Sequence, residues 1–144
     1  MKVFFDTSVL VAALVQPHPM HGRALPWLKK AKAGEFDMAI AEHTLAELYA
    51  VLTTLQVSPR IMPAMALRLI HESVEPFSSV IALSPSDYLA VVRHVSEHNL
   101  SGGVIYDALI LKSALKFKAD RLITFNVSDF KRIWPDADIQ IISP

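Results

Sequence analysis

The sequence predicts an α/β fold built on a mostly parallel, five-stranded sheet with helices on both faces. Two features predict it. Short apolar runs alternate along the chain with longer stretches of helical period, the pattern of repeated βα units. The first run, Val3-Phe4-Phe5, is continuously apolar, as expected of a strand buried on both faces of a parallel sheet. The 144 residues, 52% of them apolar, are enough for one domain with a sizeable core and exclude a disordered chain.

Asp6 ends the first strand, and Thr7 and Ser8 are placed to cap a helix whose first turns are the apolar run 9–15. Ligands of open α/β sheets bind at the carboxyl ends of strands, so Asp6 is either a helix cap or a functional acid. Gln16-Pro17-His18-Pro19 breaks the pattern. His21 to Gly34 has the spacing of a helix, with Leu25, Leu28 and Ala31 inside and Lys29, Lys30 and Lys32 outside. Asp37 to Ala41 reads as the second strand. Glu42 to Gln56 reads as a helix with Leu45, Leu48, Tyr49, Leu52 and Leu55 on one stripe. Ser58 and Pro59 are expected to start the next helix, which runs to about Ser73.

Val80 to Leu83 is the third predicted strand. Ser84-Pro85-Ser86-Asp87 is a cap sequence for a helix reaching about Asn99. The glycine pair Gly102-Gly103 precedes a densely apolar helix, Val104 to Lys118. Arg121 to Thr124 is the fourth strand, Asn126 to Trp134 a loop and short helix, and Ile139 to Ile142 the fifth strand. No repeat, low-complexity tract or linker interrupts the chain, so residues 1–144 read as a single domain.

Composition excludes several functions. No cysteine is present, which removes disulfides, zinc fingers and thiol catalysis. No GxGxxG, P-loop or GxSxG sequence occurs, against a nucleotide cofactor and against an α/β-hydrolase. No apolar run reaches the roughly 20 residues that span a bilayer, and the start lacks a signal-peptide order, so no membrane association and a cytoplasmic location are expected. Net charge is zero, so a nucleic-acid partner needs a local basic surface. His94 and His98 are four apart but do not form HExxH; they are expected on a solvated helix face. His18, His21, His43 and His71 are expected at the surface. The lysines at 29, 30 and 32 and at 112, 116 and 118 suit a solvated face or an RNA backbone.

What remains is a set of carboxylates in costly places. Asp107 is the only charge in Val104-Ile105-Tyr106-Asp107-Ala108-Leu109-Ile110-Leu111, and Glu47 the only one in Leu45-Ala46-Glu47-Leu48-Tyr49-Ala50-Val51-Leu52. Asp129 follows the fourth strand, with Asn126 nearer to it. Each alone also suits a helix-end or surface acid. Together, Asp6, Asp107 and Asp129 follow elements that converge on one edge of a parallel sheet, and Glu47 joins from a neighbouring helix. Clustered carboxylates repel unless a cation neutralises them, and all-oxygen donors suit Mg²⁺ or Mn²⁺. Such a site supports hydrolysis by a metal-polarised water.

These segments, Phe5-Asp6-Thr7-Ser8, Ala46-Glu47-Leu48, Tyr106-Asp107-Ala108-Leu109-Ile110 and Thr124-Phe125-Asn126-Val127-Ser128-Asp129-Phe130, resemble the PIN-domain nucleases over the whole chain. The likeness is to the toxin subunits of VapBC toxin–antitoxin pairs. The resemblance implies a three-layer α/β/α sandwich and a Mg²⁺- or Mn²⁺-dependent endoribonuclease acting on RNA. It also implies a homodimer and inhibition by a cognate antitoxin. It places Asp6, Glu47 and Asp107 as three acids of the site and Ser8 as a supporting hydroxyl. Many relatives have an acid where this chain has Asn126, and others use the position of Asp129. Asp129 is favoured as the charged member, with Thr124 and Asn126 as secondary polar groups. The alternatives are a non-catalytic PIN-like module that binds RNA or protein, and a phospho-aspartate phosphatase, disfavoured because Ser8 stands where that chemistry needs a second Asp.

Overall fold

In the computed structural model, which describes residues 1–144, the first apolar run is the middle strand of the sheet. Strand β1 (Lys2–Phe5) lies between β2 (Asp37–Ala41) and β4 (Arg121–Ile123); β3 (Ser78–Ile81) and β5 (Gln140–Ile142) form the edges. The order is β3-β2-β1-β4-β5, and every pairing is parallel. The sheet is thus wholly parallel, where a mostly parallel one was expected.

Successive side chains of β1 face opposite ways. Val3 and Phe5 pack under α1 (Thr7–Leu14), α2 (His21–Lys32), α3 (Glu42–Thr54) and α4 (Pro63–Ser73). Phe4 packs on the other side with α5 (Pro85–Glu97), α6 (Val104–Phe117) and α7 (Val127–Ile133). All three side chains are fully buried, which is why the run is apolar without alternation. The result is the three-layer α/β/α sandwich.

Three local expectations are corrected. Thr7 and Ser8 do not cap α1: the cap residue is Asp6, whose carbonyl accepts from Val9 N at 3.1 Å, and Thr7 is already helical. Helix α4 starts at Pro63, not at Ser58-Pro59. Val57 and Ile61 pack against the core and hold that segment as a loop, and Pro63 takes the first-turn position. Tyr49 leaves the buried stripe of α3 and is 42% exposed, whereas Leu48 and Leu52 are fully buried. The cap before α5 is as expected: Asp87 N donates to Ser84 Oγ at 3.1 Å and Ser84 N to Asp87 Oδ2 at 2.9 Å.

The chain runs outward from β1 through β2 to β3, then crosses back to β4 and β5. The direction of winding reverses at β1 and β4, and the crevice beyond their carboxyl ends is where such sheets bind ligands. Phe5 pairs with Ile123 there, so Asp6 and Thr124 leave the sheet side by side. Gly102, at φ 74°, takes the left-handed turn that directs α6 back over the sheet.

Candidate active site

Asp6 is 4% exposed, and its carboxylate does not make the usual side-chain capping bond of a helix start. Two hydroxyls donate to its Oδ2 instead, Ser8 Oγ at 2.6 Å and Thr124 Oγ1 at 2.7 Å. Both hydroxyls are themselves held from the β4 side. Phe125 N donates to Ser8 Oγ at 3.3 Å, and Asn126 N to Thr124 Oγ1 at 3.0 Å. The carboxylate is therefore fixed between α1 and the loop after β4. Burial raises its pKa above 3.8, and the hydrogen bonds from Ser8 and Thr124 oppose the rise.

Helix α3 brings Glu47 to the same place. Thr7 Oγ1 donates to Thr44 Oγ1 at 3.2 Å in the buried seam between α1 and α3, one turn before Glu47. Glu47 is more open than Asp6, with a side chain 43% exposed. Its pKa is raised, first by partial burial and then by the charge of Asp6, against a hydrogen bond from Thr7. From the first turn of α6 comes Asp107, with its carboxyl pushed up to about 6. Burial is the main cause, followed by the charges of Asp6, Glu47 and Asp129.

Asp6, Glu47 and Asp107 line one cleft of about 360 Å³, together with Ser8, Phe125 and Asn126. Asp129 sits in the first turn of α7, exposed and outside that lining, although its charge reaches Asp107. At the fourth position Asn126 thus faces the cleft and Asp129 acts on it from the rim. The donors are all oxygen, the kind a hard divalent cation takes, and their mutual repulsion is what such a cation relieves. No three of the chain's His, Asp and Glu side chains stand close enough together to cage an ion by themselves.

Two histidines expected at the surface belong to this region. His18 lines the cleft, and His43 Nε2 lies 3.8 Å from Glu47 Oε2, buried without a hydrogen-bond partner. Burial lowers the pKa of His43, while Asp6 and Glu42 pull it up. Spacing four before Glu47 could have flagged His43; nothing in the sequence marks His18, because a loop places it. His94 is corrected as well. It is not a solvated group: its Nε2 is 2.7 Å from Ile133 O, and its ring stacks on Trp134 at 4.0 Å. Lys116 is tied to Asp87 Oδ2 at 2.8 Å and to Ala82 O at 3.1 Å, which makes it a strut of α5 and α6.

Comparison with known proteins identifies the family. The profile of the PIN domain matches residues 3–133. The chain belongs to the PIN-domain family. Within it, the chain is 33% identical over 115 residues to Ribonuclease VapC27 of Mycobacterium tuberculosis, covering 80% of this chain and 78% of that one. Ribonuclease VapC40 of the same species is 32% identical over 105 residues, covering 73% and 72%. Among solved structures, a chain of Rickettsia felis VapBC2 bound to a promoter DNA fragment superposes with a TM-score of 0.68 at 22% identity, over 99% of this PIN chain and 98% of that chain. At that identity the superposition speaks for the fold.

Proposed function

We propose that this PIN-domain protein is a metal-dependent endoribonuclease and the toxin of a type II toxin–antitoxin pair. It works in the cytoplasm, forms a homodimer and is silenced by a cognate antitoxin. One observation carries the reading: Asp6, Glu47 and Asp107 share a single cleft at the carboxyl ends of β1 and β4, where the charge of Asp6 helps to raise the pKa of both Glu47 and Asp107. The ribonuclease names of the VapC27 and VapC40 relatives and the toxin–antitoxin complex among the structural neighbours support the same reading.

Asp6, Asp107 and Glu47 would hold Mg²⁺ or Mn²⁺, with Asp129 adding charge from the rim. Since no three groups cage an ion, part of its shell is left to water and to RNA phosphate, as is usual for magnesium. A divalent ion supplies charge neutralisation at the phosphodiester and a water of lowered pKa. The chain's own part is preorganisation. Ser8 and Thr124 keep the Asp6 carboxylate in one orientation, and Asp107 and Glu47 would offer carboxylate oxygens to the proton of an attacking water.

The test is cleavage of labelled single-stranded, hairpin and transfer-RNA-like molecules in Mg²⁺ or Mn²⁺. EDTA is expected to abolish cleavage. Asp6→Asn keeps size and removes charge, and should lower the rate by about a hundredfold or more, ~3 kcal/mol of transition-state stabilisation. The open spacing of the acids favours the second reading, a non-catalytic module that binds RNA or protein. That reading takes over if Mn²⁺ gives no calorimetric heat and no rise in Tm.

A further inference from the structure

The acidic cleft has no cation of its own to hold the strand it is proposed to cut. None of its twelve lining residues is Lys or Arg. A phosphodiester backbone entering beside Asp6, Glu47 and Asp107 meets charges of its own sign, and the net charge of the chain is zero. Beyond the phosphate that meets the metal, the strand needs further donors; the lining offers the ring N–H of His18, and a cation has to come from the rim.

We infer that His18 and Arg23, on the turn between α1 and α2 and the first turn of α2, are the phosphate-binding residues of this cleft. His18 offers a neutral N–H donor and Arg23 a two-pronged cationic one. This inference rests on the ribonuclease reading and names the residues that position its substrate.

The tautomer of His18 is set by its neighbour. Met20 N donates to His18 Nδ1 at 3.0 Å, so Nδ1 is an acceptor and the ring proton sits on Nε2. The ring reaches the cleft as a hydrogen-bond donor. Beside it, the ring of His21 is 2.8 Å from Ala12 O through Nδ1, which pins the turn to α1.

Arg23 stands at the same rim. Its guanidinium lies 5.6 Å from the centre of the Phe125 ring, and its Nη1 is 3.7 Å from Met20 Sδ; both residues line the cleft. Nε and Nη2 converge on one oxygen, that of Pro144, at 3.0 and 2.6 Å, and Nη2 also donates to Ser143 Oγ at 2.9 Å. That is the fork by which arginine holds a phosphate oxygen. A backbone phosphate oxygen of RNA would compete with Pro144 O for this fork.

The test separates binding from cleavage. Binding of a labelled single-stranded RNA to the full chain is followed by fluorescence anisotropy in EDTA at several salt concentrations. Cleavage is followed in Mn²⁺ on the same RNA. Arg23→Ala should weaken binding roughly tenfold and lower the salt slope by about 0.7, the share of one phosphate contact on a single strand. His18→Ala should weaken binding about fivefold with the slope unchanged, because a neutral donor releases no counterion; His18→Gln, which keeps an N–H, should recover part of it. Both alanine variants should raise KM more than they lower kcat. Mn²⁺ binding and Tm, measured on the same samples, should match the parent. Arg68→Ala, an exposed arginine of α4 facing Glu72 at 3.5 Å, is the control and should behave as the parent. Parent-like RNA affinity and slope in Arg23→Ala and His18→Ala, with cleavage intact, would overturn the assignment and leave the nuclease standing. RNA binding that depends on both residues in a chain that never cleaves would keep the assignment and remove the nuclease.

Discussion

Asp107 illustrates what the site does to a single residue. Its carboxyl titrates at about 6 instead of 3.8, chiefly because it is partly buried and then because Asp6, Glu47 and Asp129 are near. Between those two values the folded chain holds a proton that the unfolded chain has lost, so stability falls as pH rises through that window. The shift would amount to about 3 kcal/mol if unscreened, and solvent screening of a half-exposed group reduces it to about 1 kcal/mol. The metal-free protein should therefore melt higher at pH 5 than at pH 7.5. Asp107→Asn should flatten that slope and raise Tm in EDTA at pH 7.5, while abolishing most RNA cleavage. Differential scanning fluorimetry across the pH range checks it; an unchanged slope in Asp107→Asn assigns the burden to another group. Asp6 and Asp107 were legible in the sequence because each interrupts an apolar run, where a charge needs a reason. His18 was not, since a proline-broken turn has no periodicity from which its direction could be read.

At the scale of the element, the sequence marks where helices begin when a cap is local and misleads when packing decides. Ser84 and Asp87 form their reciprocal cap within four residues, so the start of α5 is visible in the sequence. Ser58-Pro59 looks like a helix start as much as Met62-Pro63 does, but Val57 and Ile61 must reach the core, and only the second site opens a helix. The far end of α5 depends on a partner distant in sequence. His94 joins α5 to the end of α7 through Ile133 O and the face of Trp134, and the ring of His98 lies 4.1 Å from its own at a tilt of 31°. The hydrogen bond and the stack are each worth about 1 kcal/mol. His94→Ala should lower stability by about 1–2 kcal/mol in urea titration and leave kcat for RNA unchanged, because it is absent from the cleft lining. Unaltered stability would show that the stack holds nothing together.

Across the whole molecule, alternation of strands and helices was enough to predict a parallel sheet, but not the order of its strands. That order depends on which way the chain crosses after β3, a choice made by α5 and α6 packing on the Phe4 side of the sheet. Surface apolarity shows the same limit. Helix α4, with Met62 just before it and Met65 and Leu69 on it, is one candidate self-association face. Met62 and Met65 are 65% and 46% exposed, and Leu69 is partly buried against the core. Helix α5 carries a second patch: Tyr88, Leu89 and Val92 lie on one face at 43%, 65% and 47% exposure. A two-fold contact of α5 with its copy would cover that stripe on both subunits at once, which a single symmetric interface requires. Leu89→Glu places two like charges at the centre of such a contact and should convert the proposed dimer to a monomer in light scattering at about 10–50 μM, where a dimer of micromolar Kd persists. Met62→Glu should leave the dimer intact. A dimer that survives Leu89→Glu and dissociates with Met62→Glu would return the interface to α4.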